Sequence, residues 1–212
     1  MPTVVRSAIQ PRKQPVQARS TETVDAILDA TLQVLTAVGK ERLTTTRVAA
    51  RAGVSVGTLY QYFPNKVALL QACLRRHMQE VIAAVEAACA DCQGEDALHM
   101  AEAIIEAYLM AKLKHMQHSV ALYSISADVD GMQIAKDAYV EARQAVSLMF
   151  ATAPGLTKDP EIVATVVLAA MNGIARRLLE SATPERDYEP LKSELILLVH
   201  SYLRACMGYL SS

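Results

Sequence analysis

Residues Thr44 to Lys66 read TTTRVAARAGVSVGTLYQYFPNK, and this stretch decides the fold. Two short helical runs, about Thr45–Ala52 and Val56–Tyr62, are separated by Gly53 and Ser55. Glycine enters the left-handed backbone region at little steric cost, so Gly53 ends the first run and turns the chain. Ser55 caps the second run, Pro64 stops it, and Asn65 caps the helix that follows. Two short helices joined by a glycine turn make a helix-turn-helix. Ala49, four residues before Gly53, is small enough to let them approach closely, and Val54, Leu59 and Phe63 point inward to hold them together.

That leaves Ser55, Val56, Gly57, Thr58, Tyr60, Gln61 and Tyr62 on or near the outer face. Such a face suits a DNA major groove. Thr58 and Gln61 can hydrogen-bond base edges or sugars, Gly57 admits a close backbone approach, and Tyr60 and Tyr62 offer hydroxyls to phosphates. Thr44, Thr45 or Thr46, at the start of one helix, and Lys66, at the start of another, are placed for phosphate contacts.

Working outward, the chain reads as helical throughout. Residues 1–19, with Pro2, Pro11, Pro15 and scattered basic side chains, form a flexible basic arm. A helix is predicted over about Thr21–Val38, where Val24, Ile27, Leu28, Leu35 and Val38 keep helical spacing and Gly39 ends the run. A long helix follows from Asn65 to about Cys89. Further helices are predicted near Asp96–His118, Met132–Phe150, Pro160–Ser181 and Glu189–Tyr209, with 119–131 ambiguous. Asp159–Pro160 is a cap followed by proline at the first helical position, a specific start signal. The expected fold is all-α: a three-helix DNA-binding domain over 20–66, then a helical ligand-binding and dimerisation domain over 67–212.

Charge divides along the same line. Up to Lys66 there are nine basic and four acidic side chains, a net of +5, which leaves −6 for the remainder of a chain whose formal charge is −1. A basic head on an acidic body suits a polyanionic partner for the head alone. Residues 1–20 hold no apolar run of signal-peptide length, and the longest uncharged apolar stretch, Ile162–Ala175, is too short to cross a bilayer. A cytoplasmic protein without membrane contact is the expectation.

The run AGVSVGTLYQYFPNK, Ala52 to Lys66, resembles the signature of the tetracycline-repressor (TetR) family of bacterial transcriptional regulators. The resemblance is specific over about residues 20–72 and beyond that is one of architecture. It implies that Thr45, Ser55, Gly57, Thr58, Tyr60, Tyr62 and Lys66 occupy DNA-contacting positions, while Gln61 lies where the family varies. It also implies that the last two helices pair across a homodimer through a four-helix interface. From the residues alone, Val163, Val167, Ala170 and Ile174 on one helix and Leu195, Leu198 and Tyr202 on the next need cover on more than one side, in a dimer or in a monomer core. Ala169 and Gly173 would permit close helix approach.

An effector pocket is expected on the middle helices, with Tyr108, His115, Met116, Tyr123, Tyr139, Arg143, Met171, Asn172 and Arg176 as candidates. Methionines and tyrosines with a few polar groups suit a mostly apolar small molecule. The function these features predict is a ligand-responsive regulator. A dimeric repressor would hold a palindromic double-stranded operator and be released by the effector; an activator would use the same chemistry. No G-x-S-x-G, P-loop, G-x-G-x-x-G or H-E-x-x-H motif is present, so neither an enzyme nor a cofactor is expected. Cys89 and Cys92 have C-x-x-C spacing but no second pair, and His115 with His118 lacks a third ligand, so no metal is expected. The rival reading is a protein-interaction adaptor on the same fold, without effector control. The tyrosines, Lys66 and the basic arm speak against it.

Overall fold

A computed structural model of the protein describes residues 14–207, with side chains placed from Ser20 onward. Among the described residues all regular structure is helical: α1 Gln14–Arg42, α2 Thr45–Ala52, α3 Val56–Tyr62, α4 Lys66–Asp91, α5 Ala97–Leu113, α6 Met116–Ile125, a 3-10 turn Ser126–Asp128, α7 Gly131–Phe150, α8 Pro160–Leu179 and α9 Pro184–Cys206. The all-α fold expected from periodicity is the fold observed.

The helix ends carry the predicted chemistry. Thr44, Ser55, Asn65 and Asp96 each accept a backbone N–H from the first turn of α2, α3, α4 and α5. Asp159 caps α8 through Glu161 N–H at 2.9 Å, directly ahead of Pro160. Gly53 sits in the left-handed region, φ 71° and ψ 26°, and its N–H closes the end of α2.

Three helices differ from the sequence expectation at their ends. Helix α1 begins at Gln14, seven residues before the predicted Thr21; residues 1–13 of the expected arm lie outside the described residues. Gly39 interrupts its end with φ 74° and ψ 170°, after which one further turn reaches Arg42. The helix predicted over Asp96–His118 is broken at Lys114–His115, and α6 fills the ambiguous segment. Neither glycine nor proline marks that break. The Ser119 hydroxyl takes the Lys112 carbonyl at 2.5 Å, giving the interrupted end an acceptor's partner across the corner. Helix α9 starts at Pro184 rather than near Glu189, because Pro190 lies inside the helix and not at its first position.

Two cores result, and α4 joins them. Leu69, Leu70, Cys73 and Leu74 of α4 pack with Ile27, Leu35, Leu43, Val48, Leu59 and Phe63 in the head, together with Leu122, Ile125, Val129 and Ile134 from the α6–α7 corner. Val81, Val85 and Cys89, further along α4, enter the body core with α5, α7, α8 and α9. Head and body are therefore linked by one continuous helix and by a corner of the body embedded in the head. Helix α8 is long and apolar enough to cross a membrane by composition, yet Val163, Ala164, Val167, Leu168, Met171 and Leu178 are buried in the body core.

Candidate nucleic-acid interface and effector cavity

Helix α3 is held against α2 by Leu59, fully buried, and by Phe63. Its outer side carries Ser55, Gly57 and Gln61, all exposed, with Thr58 half-buried and Tyr60 47% exposed, whereas Tyr62 is half-buried against the head core. Short polar contacts organise this face. Ser55 Oγ accepts Thr58 N–H at 2.9 Å and lies 2.8 Å from Thr58 Oγ1. Thr45 Oγ1 and Tyr60 Oη are 3.1 Å apart, tying α2 to α3. Six of the eight predicted DNA-contact residues, Thr45, Ser55, Gly57, Thr58, Tyr60 and Gln61, thus share one end of the head. The Lys66 ammonium donates one hydrogen to the Lys40 carbonyl at 2.8 Å, which holds it at the end of α1. Lys40 in turn pairs with Asp128 at 2.8 Å, which raises the Lys40 pKa and joins the head to the corner before α7.

In the body, two adjoining cavities of about 330 and 470 Å³ lie among α4, α5, α6, α7 and α8. Both are lined by Met78, Tyr108, Lys112, Met132, Ala135 and Asn172, so they form two lobes of one space. The first lobe has walls of Val81, Ile82, Val85 and Leu168. The second extends along α6 past Ser119, Leu122 and Tyr123 to Arg176. Tyr108 Oη donates to Asn172 Oδ1 at 2.7 Å, and burial raises the phenol pKa further. Burial also lowers Lys112, to about 8, and His77, to about 4, so His77 is neutral at pH 7.

The predicted pocket residues divide. Tyr108, Tyr123, Tyr139, Asn172 and Arg176 line the two lobes. His115 lines a separate cleft beside α1, and Met116 faces an open hollow near Tyr188. Arg143 pairs with Glu161 at 2.9 Å and lines neither lobe, and Met171 is fully buried in the core. Lys112 was missed. The available signal was its place four residues after Tyr108, on the same face of an otherwise apolar helix end.

Of the predicted dimer residues, Val163, Val167 and Leu195 need correction. Val163 and Val167 are 0% exposed and Leu195 is 1%, so they fill the protomer's own core, and Ala170, Ile174 and Tyr202 are partly buried against it. Leu198 is the most exposed of that set, and Ile162 and Val166 of α8 and Leu197 of α9 are exposed as well. The 3.6-residue period placed the apolar residues on α8 and α9 but not which of the two apolar faces turns inward. Cys89 and Cys92 are both buried, and burial raises both thiols, Cys89 to about 12, which disfavours the thiolate that redox or metal chemistry needs. Among the described residues no three His, Cys, Asp or Glu side chains gather as a metal site requires.

Comparison with known proteins completes the description. Residues 27–73 match the family model of bacterial regulatory proteins of the tetR family, and residues 98–203 match the tetracyclin repressor-like C-terminal domain. The chain is 47% identical over 62 residues to the HTH-type transcriptional repressor KstR of Mycolicibacterium smegmatis, covering 29% of this chain and 30% of that protein. It is 36% identical over 74 residues to the HTH-type transcriptional regulator BetI of Cronobacter sakazakii, covering 34% of each. Each match thus spans about a third of the curated relative. A TetR-family transcriptional regulator from Streptomyces coelicolor superposes with a TM-score of 0.63 at 20% identity, over 87% of this chain and 99% of that one. A Mesorhizobium loti protein assigned to the same family gives 0.72 at 18% identity, over 88% and 98%. At such identities the likeness is one of fold.

Proposed function

The chain belongs to the tetR family of bacterial regulatory proteins, and from that premise we propose that it is a DNA-binding transcriptional regulator controlled by a small molecule. The observation that carries this reading is the outward face of α3, where Ser55, Gly57, Thr58, Tyr60 and Gln61 form a polar surface that no other part of the chain covers among the described residues. Its size and chemistry suit a major groove, with Thr58 and Gln61 toward bases and Tyr60 and Thr45 toward phosphates. Arg47, exposed on α2, is a further cation on this end of the head.

In this reading the protein is a cytoplasmic homodimer and a repressor, not an enzyme. Its paired α3 helices read half-sites of a palindromic operator about 34–36 Å apart. The pairing face is formed by Ile162 and Val166 of α8 with Leu197 and Leu198 of α9, an exposed apolar patch on two packed helices. Effector control works through α4 and α6. Both line the two-lobed cavity and both enter the head core, so a ligand that fits one tilt of these helices better than another shifts the separation of the α3 pair. A coupling of about 1–3 kcal/mol would weaken operator binding roughly 5–150-fold.

The test is a gel-shift titration with DNA from upstream of the protein's own coding region, repeated over a salt series. Binding that weakens steeply with salt and loses base preference in Thr58→Ala and Gln61→Ala supports the reading. No binding at low salt sinks it.

A further inference from the structure

The cavity has an unusual charge balance. Its two lobes are lined by three cations, Lys112, Lys136 and Arg176, and by no carboxylate. Three exposed or half-buried cations of the body are paired, Arg143 with Glu161, Arg176 with Glu180 and Lys192 with Glu106, while Lys136 stands exposed in solvent. Lys112 is neither. Among the described residues its ammonium forms no ion pair, and its one polar contact is the Met78 thioether at 3.7 Å, a weak acceptor. An ammonium withdrawn from water without an anionic partner is costly, and burial accordingly depresses its basicity. Such a group is tolerated where a ligand supplies the missing charge.

Around it the remaining donors converge. Asn172 gives one amide hydrogen to the Leu168 carbonyl at 2.9 Å, accepts from Tyr108 through Oδ1, and so retains one amide hydrogen for a ligand. Beyond this polar end, Val81, Ile82, Val85 and Leu168 make a wall with no charged group. A lobe of about 330 Å³ falls in the size range of small-ligand pockets. We propose that the cavity holds an aliphatic monocarboxylate, its carboxylate on Lys112 and Asn172 and its chain along the apolar wall of α4 and α8. This names the effector class for the regulator described above, and it rests on that cavity being the ligand site.

The experiment is a calorimetric titration of the purified full chain at pH 7 with decanoate, 1-decanol and decylamine, followed by decanoate with Lys112→Met. Decanoate should bind at least tenfold more tightly than decanol, and decylamine more weakly than either. Each methylene removed from the acid should weaken binding roughly fourfold. Lys112→Met, checked for helix content by circular dichroism, should bring acid and alcohol to within about threefold of each other. The assignment is overturned if the wild-type chain binds decanol or decylamine as well as decanoate, or if a folded Lys112→Met keeps the tenfold preference. The wild-type series decides even should the variant not fold. Operator binding, measured separately, keeps the two readings apart. Acid preference without DNA binding supports the cavity assignment and removes the regulator, while DNA binding without acid preference does the reverse.

Discussion

At Gly57 the protein's own packing makes no demand for glycine. A Cβ built there would meet only Ser55 Oγ, at an ordinary 3.6 Å. Gly57→Ala should therefore stabilise α3 by about 0.5–1 kcal/mol, since alanine is the better helix former. On the proposed DNA-binding face the same methyl should weaken operator binding tenfold or more, read as a raised melting temperature beside a poorer gel shift. Lys112 makes a second opposition of this kind. Its pKa in the folded chain, about 8, lies below its unfolded value of 10.5, so folding expels a proton between those limits. The penalty is complete below pH 8 and fades as the pH rises toward 10.5. Lys112→Met should accordingly raise stability at pH 7 by on the order of 1–3 kcal/mol, and the gain over wild type should shrink across that window in thermal melts run from pH 7 to 10. A loss of stability at pH 7 would mean that Lys112 is structural. Residue types were legible where chemistry is local: Ser55, Gly53 and Asn65 announce caps and turns in the sequence itself. The bond from Lys66 to the Lys40 carbonyl was not legible, because that partner lies 26 positions earlier in the chain.

Among the elements, the long helices and the helix-turn-helix were readable from periodicity and punctuation, and the α5–α6 corner was not. A sequence pattern records which side chains are apolar along one axis. It does not record that α5 stops at Leu113 so that α6 can turn back onto α1. The return from α6 into α7 depends on Gly131, which is buried where a Cβ would stand 2.5 Å from the Ser126 carbonyl oxygen. Asp130, just before it, is the one described non-glycine residue with positive φ, at 52°. Gly131→Ala must push the 3-10 turn away from α7, and should lower stability by about 1–3 kcal/mol in denaturant melts. It should also disturb ligand binding, because Ser126, Ala127, Gly131 and Met132 line the second lobe. An unchanged melting profile would show that the turn yields freely.

Across the whole molecule, the apolar patch of Ile162, Val166, Leu197 and Leu198, each 41–58% exposed, is where the dimer reading is open to test. Leu198→Glu should convert the protein to a monomer by light scattering while leaving helix content intact, since that side chain supports nothing in its own protomer. Operator affinity should fall with it, because each half-site is then held alone. A dimer that survives the change would place the pairing surface elsewhere. Leu122, Ile125, Val129 and Ile134, contributed by the body yet packed in the head, have a different kind of consequence. Anyone wishing to graft a new sensor onto this reader would naturally cut after residue 66 or at the end of α4. Either cut strips four aliphatic plugs from the reader and leaves a greasy hole behind. A working hybrid would need its junction beyond Ile134, or those four positions rebuilt in the incoming half.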